Sequence, residues 1–295
     1  MKIVSLLPAA TEIVCALGLR EDLVARSHEC DFPAGVETLP ALTRARVDSS
    51  LSSGEIDEQV RKVVASRLPI YTLDEARLAD IAPDLIVTQE ACEVCAISYD
   101  QVVAAVRRAS VGAQVLALSP TRLDHILEDV RRVAGACGVE GRGAALAEDL
   151  QRRLKQAAPR TNRKPRVAVI EWLAPVMLAG HWVPDAIAAA GGTAVGPEPG
   201  DPSPYATWDE VSARGPDAVI VAPCGFDLER TVQESAPFAD RLRALAPRVL
   251  LLDGNAYLNR PGPRIVDAVE TIAAWLHGAP FPQRRGTVLG AVLST

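Results

Sequence analysis

"DLIVTQEACEVCAISYDQVVAAVRRASVGAQVLAL", residues 84–118, contains one complete structural unit. Residues 84–88 are a short, nearly unbroken apolar run, the pattern of a strand buried on both faces. Residues 99–108 repeat apolar side chains at helical spacing, and "QVLAL" (114–118) is apolar and short again. Two strands joined through a helix lie parallel, because a parallel pair needs a long crossover. Between the first strand and the helix stands "CEVC", two cysteines three apart.

The same alternation continues outward in both directions. Upstream, 3–7 reads as a strand, 10–17 as a helix stopped by Gly18, and 23–26 as a second short strand. Ser52 and Glu55 have capping-box spacing and start a helix that runs to Ala65. Residues 78–81 end another helix ahead of Pro83. Downstream, 123–156 is purely helical, two amphipathic segments broken near Gly138 and Gly143, and 159–166 is a polar joint. Then the alternation restarts with strands at 166–172, 217–223 and 249–254 and helices at 183–192 and 264–278. The expected fold is α/β: two Rossmann-like αβ lobes joined by a long rigid helical segment, with the ligand cleft between the lobes. The expected division is a lobe at 1–120, a helical backbone at 121–158, a lobe at 159–278 and an appended tail at 279–295.

A chain of 295 residues suits two domains at about 100–200 residues each. Net charge is −6 with no basic run, so a nucleic-acid partner is not expected. No apolar stretch has the length of a membrane span, so the chain is not expected to be membrane-embedded. The N-terminus runs directly into a strand without a signal-type apolar segment. A cytoplasmic location is therefore expected, which speaks against delivery to an importer. The six cysteines (15, 30, 92, 95, 137, 224) would then be reduced thiols or metal ligands rather than disulfides.

Ligands of open parallel sheets bind beyond the carboxyl ends of the strands, and the unusual residues of this sequence fall there. His28, Glu29 and Cys30 follow the strand at 23–26, and Cys92 and Cys95 follow 84–88. Glu171, Trp172, His181 and Trp182 follow the first strand of the second half. Cys224 follows 217–223, and Asp253, Asn255, Tyr257, Asn259 and Arg260 follow 249–252. Cys15 and Cys137 sit inside helical patterns and read as small buried side chains.

For "CEVC", c-type haem attachment fails, since Ala96 stands where His is required. A redox dithiol, half of a four-thiolate Zn²⁺ or iron–sulfur site completed by Cys30 and Cys224, and plain pocket-lining thiols all stay open. His28 and His181 flank the inferred cleft, whereas His125 suits a solvated helix face and His277 a helix C-terminus. Trp208, beside the Thr207/Glu210 capping box, and Trp275, on an apolar stripe, read as structural. Trp172 and Trp182 could wall a pocket, and Arg44 and Arg46 would serve opposite an anionic ligand group.

The opening "IVSLLPAATEIVCALGL" (3–19), with "LPALTRARVDSSLSSGEID", "APDLIVTQ" and the post-strand "LSP", resembles substrate-binding proteins of ABC importers for cobalamin and iron chelates. This is the helical-backbone, class III type, and the likeness runs from residue 2 to about 276. It implies a ligand between the lobes with little closure. Carried onto this chain, the contacts would be Pro8, Thr11, the 28–30 and 89–95 loops, Glu171, Trp172, His181, Trp182 and 253–257. The cysteines in "HECD", "CEVC" and "APCGFD" depart from such a pocket.

Two functions are weighed beside a third, bland reading, a degenerate binding fold that acts as an interaction module. The first is a binding protein for a small-molecule ligand, cobalamin or a related metal chelate. Trp172 and Trp182 would pack its flat part, and Asp253, Asn255 and His181 would give polar contacts. Cys30, Cys92, Cys95 and Cys224 would act as soft thiolate ligands to a metal. The second is an enzyme that uses a cysteine-ligated iron–sulfur cluster or the Cys92/Cys95 dithiol, with Glu90 or Glu171 as acid or base.

Overall fold

A computed structural model describes residues 1–89, 99–108, 111–157 and 163–289. They form two compact units. The first comprises 1–51, 55–120 and 124–149, and the second 52–54, 121–123 and 150–295.

In the first unit, in chain order, are β1 (Ile3–Ser5), α1 (Pro8–Ala16), β2 (Leu23–Arg26), β3 (Thr43–Ala45), α2 (Ser53–Ala65), β4 (Tyr71–Leu73), α3 (Glu75–Ile81), β5 (Leu85–Gln89), α4 (Tyr99–Arg108) and β6 (Gln114–Leu118). The helices α5 (Leu123–Ala136) and α6 (Glu140–Ala157) follow, and the chain passes into the second unit along α6. The main sheet has the order β2-β1-β5-β6 and is parallel throughout. Its order reverses between β1 and β5, and the crevice at such a switch point is the usual ligand position. Pro8 both closes β1 and supplies the first residue of α1, where its missing N–H costs nothing. The core is aliphatic: Val4, Leu6, Ala25, Leu78, Ile86 and Val102 pack together fully buried. A β3–β4 antiparallel pair, not apparent from the sequence pattern, joins Thr43 to Leu73 and Ala45 to Tyr71.

The second unit continues with β7 (Arg166–Leu173), β8 (Val176–Leu178), α7 (Val183–Ala189), β9 (Thr193–Ala194), α8 (Trp208–Ala213), β10 (Ala218–Val221), α9 (Leu228–Ser235), α10 (Ala239–Leu245), β11 (Val249–Leu252), α11 (Ile265–Leu276) and β12 (Gly286–Val288). The sheet order is β12-β11-β10-β7-β8, with β9 also paired to β7. The strands β11, β10, β7 and β9 are parallel, while β8 and β12 run antiparallel at the two ends. Part of the segment expected as an appended tail is thus β12, hydrogen-bonded to β11 in register Leu250–Val288. The capping box at Thr207 is present: Glu210 N–H donates to Thr207 Oγ1 at 3.2 Å and Thr207 N–H to Glu210 Oε2 at 2.7 Å.

Candidate functional site

In the first unit the loop after β2 is held from two sides. On one side, Thr43 Oγ1 lies 2.9 Å from Ser27 Oγ, 3.1 Å from the His28 N–H and 2.7 Å from His28 Nδ1. The other imidazole nitrogen, Nε2, stands 3.1 Å from Glu29 Oε1. The ring also faces Tyr71, with centroids 5.6 Å apart. On the other side, Cys30 is buried and its Sγ lies 3.0 Å from Thr11 Oγ1, which in turn donates to Ser5 Oγ at 2.8 Å. Pro8 and Thr11 both belong to α1, so Thr11 is a fully buried part of this frame.

In the second unit the expected residues gather at the carboxyl ends of β7, β10 and β11. The Cys224 N–H donates to Glu171 O at 3.1 Å, which joins the loop after β10 to β7. Trp172 donates its indole N–H to Ser53 O at 3.1 Å and meets Phe226 at 5.2 Å between centroids. Arg230 covers that Phe226 ring at 4.5 Å. Trp182 donates its indole N–H to Leu258 O at 2.9 Å. Both indoles are therefore fixed in orientation through their one polar atom.

The loop after β11 is a wide turn over 254–258 in which the Asn259 N–H reaches back five residues to Gly254 O at 3.1 Å. Asp253 caps it by accepting from the Ala256 N–H at 2.7 Å. Such turns often mark functional positions. The turn presses on the end of β10 so closely that a Cβ on Gly254 would stand 2.3 Å from Pro223 O. Asn259 bridges the same gap by donating to Ala222 O at 2.7 Å, and Arg260, buried, donates to Asn255 Oδ1 at 2.9 Å. Burial pushes the Asp253 carboxyl above its ordinary range, the Ala256 N–H draws it back, and Asp227 raises it further. Tyr257 carries the Arg264 and Arg285 guanidinium groups at 5.5 and 5.6 Å from its ring centre.

His181 has a left-handed backbone, φ 51°, which is uncommon for a residue with a Cβ. Its N–H donates to Asp201 O at 2.6 Å, and its carbonyl accepts from the Gly200 N–H at 3.0 Å. The imidazole stacks on Trp182 at 5.9 Å, and burial lowers its pKa, so it is held neutral. Sequence position alone placed His181 near the site. The clamp from residues 200 and 201, and the supporting roles of Thr43, Phe226 and Arg230, gave no local signal.

Glu90, Cys92 and Cys95 lie outside the described residues. Cys30 and Cys224 belong to different units, and Cys30 Sγ is engaged with Thr11. Among the described residues no group of three or more His, Cys, Asp and Glu side chains is gathered to hold a metal ion. The four-thiolate site thus has no support from the residues in view.

Two α/β units with polar and aromatic side chains collected at the carboxyl ends of parallel strands define a small-molecule binding protein of the two-lobed kind. The sequence pattern of the periplasmic binding protein family matches residues 3–246, and the chain belongs to that family. It is 25% identical over 285 residues to the vitamin B12-binding protein of Vibrio cholerae serotype O1, covering 93% of this chain and 88% of that one. Among solved structures, a periplasmic heme-binding protein from Pseudomonas aeruginosa superposes with a TM-score of 0.71 at 18% identity, covering 99% of each chain. The vitamin B12-binding protein of Vibrio cholerae gives 0.67 at 22% identity, covering 94% of this chain and 96% of that one. The periplasmic heme-binding protein from Roseiflexus sp. RS-1 gives 0.69 at 24%, covering 94% and 98%. These likenesses establish the two-lobed α/β fold.

Proposed function

We propose that this chain binds a planar metal chelate of the cobalamin or haem type, and that it does so as a carrier rather than a catalyst. The observation that carries the reading is the pair Trp172 and Trp182. Each indole is pinned by its N–H to a main-chain carbonyl, at 3.1 and 2.9 Å, so broad apolar faces are oriented before a ligand arrives. His181 stacks on Trp182, and the same unit carries the capped Asp253, Asn255 and Tyr257. The names of the relatives, which bind vitamin B12 or heme, support the same class. Titration with hydroxocobalamin and with haemin, followed by tryptophan fluorescence and visible absorption, tests it. Micromolar binding that weakens about tenfold in Trp172→Leu and Trp182→Leu is the expected result, a loss of about 1.4 kcal/mol each. No binding of either chelate at about 100 μM would overturn it.

In this proposal the metal belongs to the chelate. The finer reading, a resident Zn²⁺ or iron–sulfur cluster on Cys30, Cys92, Cys95 and Cys224, is supported only by the post-strand positions of the thiols. Elemental analysis of anaerobically purified protein decides it: stoichiometric Zn or Fe in protein free of chelate would establish a resident site. A reducing, cytoplasmic location belongs to the same finer reading. Cell fractionation tests that part, and an importer partner would require recovery outside the cytoplasm.

A further inference from the structure

Arg285 comes from the segment whose composition reads as a tail, yet it touches three separate parts of the second unit. Its main-chain carbonyl accepts from the Asp253 N–H at 3.0 Å, at the start of the wide turn after β11. Its Nη1 donates to Asp267 O at 3.3 Å and its Nη2 stands 3.4 Å from Asp267 Oδ1, which binds it to the first turn of α11. The same guanidinium covers the Tyr257 ring, near the end of the wide turn, at 5.6 Å from its centre. An aromatic ring is negative on its faces, so a cation placed over it is attracted. The Arg285 side chain is 16% exposed, so both charged contacts are largely shielded from water and keep their strength. Residue 285 is itself fixed by its neighbours. Its N–H donates to Pro282 O at 2.9 Å, and the next residue, Gly286, pairs with Leu252. A Cβ on Gly286 would stand 2.9 Å from Leu251 O, so glycine is what lets the main chain come this close.

We propose that Arg285 is a positioning residue for the turn that carries Asp253 and Tyr257. Its carbonyl holds the start of the turn, and its guanidinium, braced by Asp267, holds the Tyr257 ring near the end. Asp267 is a firm brace because Arg153 also binds it, at 2.6 Å. That the turn serves ligand binding rests on the chelate reading above, whereas the bracing of the turn does not. A residue that only stabilised the second unit would loosen it throughout when replaced. A positioning residue loosens the turn first.

Hydrogen exchange read by mass spectrometry on the full chain tests this, comparing peptides over 253–258 with peptides over β10. In Arg285→Met, which keeps the apolar length and loses the charge, exchange over 253–258 accelerates at least about fivefold while β10 is unchanged. Arg285→Lys keeps a cation and stays within about twofold of the native protein. Asp267→Asn removes the brace but keeps Arg285, and it moves 253–258 in the same direction; it carries the test where Arg285→Met does not fold. Equal acceleration over 253–258 and β10, or none over 253–258, would overturn the assignment. Haemin and hydroxocobalamin affinities give a second readout, through a double-mutant cycle with Tyr257→Leu. Arg285→Met loses about fivefold when Tyr257 is present and less than about twofold in Tyr257→Leu, because the ring it positions is gone. Losses that simply add would refute the link between Arg285 and Tyr257. Faster exchange confined to 253–258, with neither chelate bound, keeps the positioning role and discards the chelate.

Discussion

Gly180→Ala is the sharpest test of how the His181 segment is built. A Cβ at residue 180 would stand 2.4 Å from Asp201 O, 2.7 Å from Pro202 C and 2.8 Å from Ser203 N. All three are main-chain atoms, so no side chain can rotate away. Gly180 is not among the glycines with positive φ, so the cost of the methyl group is steric rather than conformational. The neighbouring segment is itself tied down, since the Gly180 N–H donates to Ser203 Oγ at 3.0 Å and the His181 N–H to Asp201 O at 2.6 Å. Overpacking of this kind costs about 1–3 kcal/mol, and a loosened His181–Asp201 bond adds about 1 kcal/mol. We expect about 3 kcal/mol in total, a fall in Tm of roughly 6–12 °C for a unit of this size. All four tryptophans (172, 182, 208 and 275) lie in the second unit, so fluorescence reports its unfolding alone while far-UV circular dichroism sees both units. The fluorescence midpoint should fall by that amount. A midpoint within about 1 °C of the native protein would mean that 201–203 yields freely and that the clamp on His181 is not rigid.

Two further outcomes follow from the geometry. Asp129 is 3% exposed and accepts from Arg132 at 2.6 Å, yet burial outweighs that bond and pushes its carboxyl up to about 6. Unfolded, it titrates near 3.9. The folded state therefore holds the proton more tightly, and stability falls as pH rises from about 4 to about 6, by up to about 3 kcal/mol. Asp129→Asn should flatten that slope, measured as unfolding free energy between about pH 4.5 and pH 7; an unchanged slope would place the titration elsewhere. Ending the chain after Gly278 removes β12 and the Arg285–Asp267 ion pair at 3.4 Å, exposing the edge of β11. The second unit should then lose at least about 2 kcal/mol by fluorescence, and no loss would show that β12 is dispensable.

The repeated β-α alternation was legible because its signal is local. A buried parallel strand is a short apolar run: β10 and β11 lie within the runs that announced them, and β5 and β7 each end one residue beyond theirs. Pieces with short or mixed runs were not legible. β3 and β4 have three residues each and exist through one another, and β12 lies in a segment whose composition reads as a tail. Their stability comes from partners far away in the chain, which no window of sequence contains.

The candidate site divides along the same line. Strand ends announce which loops matter, so His28, Trp172, Trp182 and Asp253 could be named from position alone. What each residue does there depends on contacts made across the fold. Thr43 reaches residues 27 and 28, and Thr11 meets a sulfur nineteen positions away. Cys30 is named from its post-strand position as one of four thiols, while its 3.0 Å contact with the Thr11 hydroxyl exists only because α1 and the loop after β2 fold together.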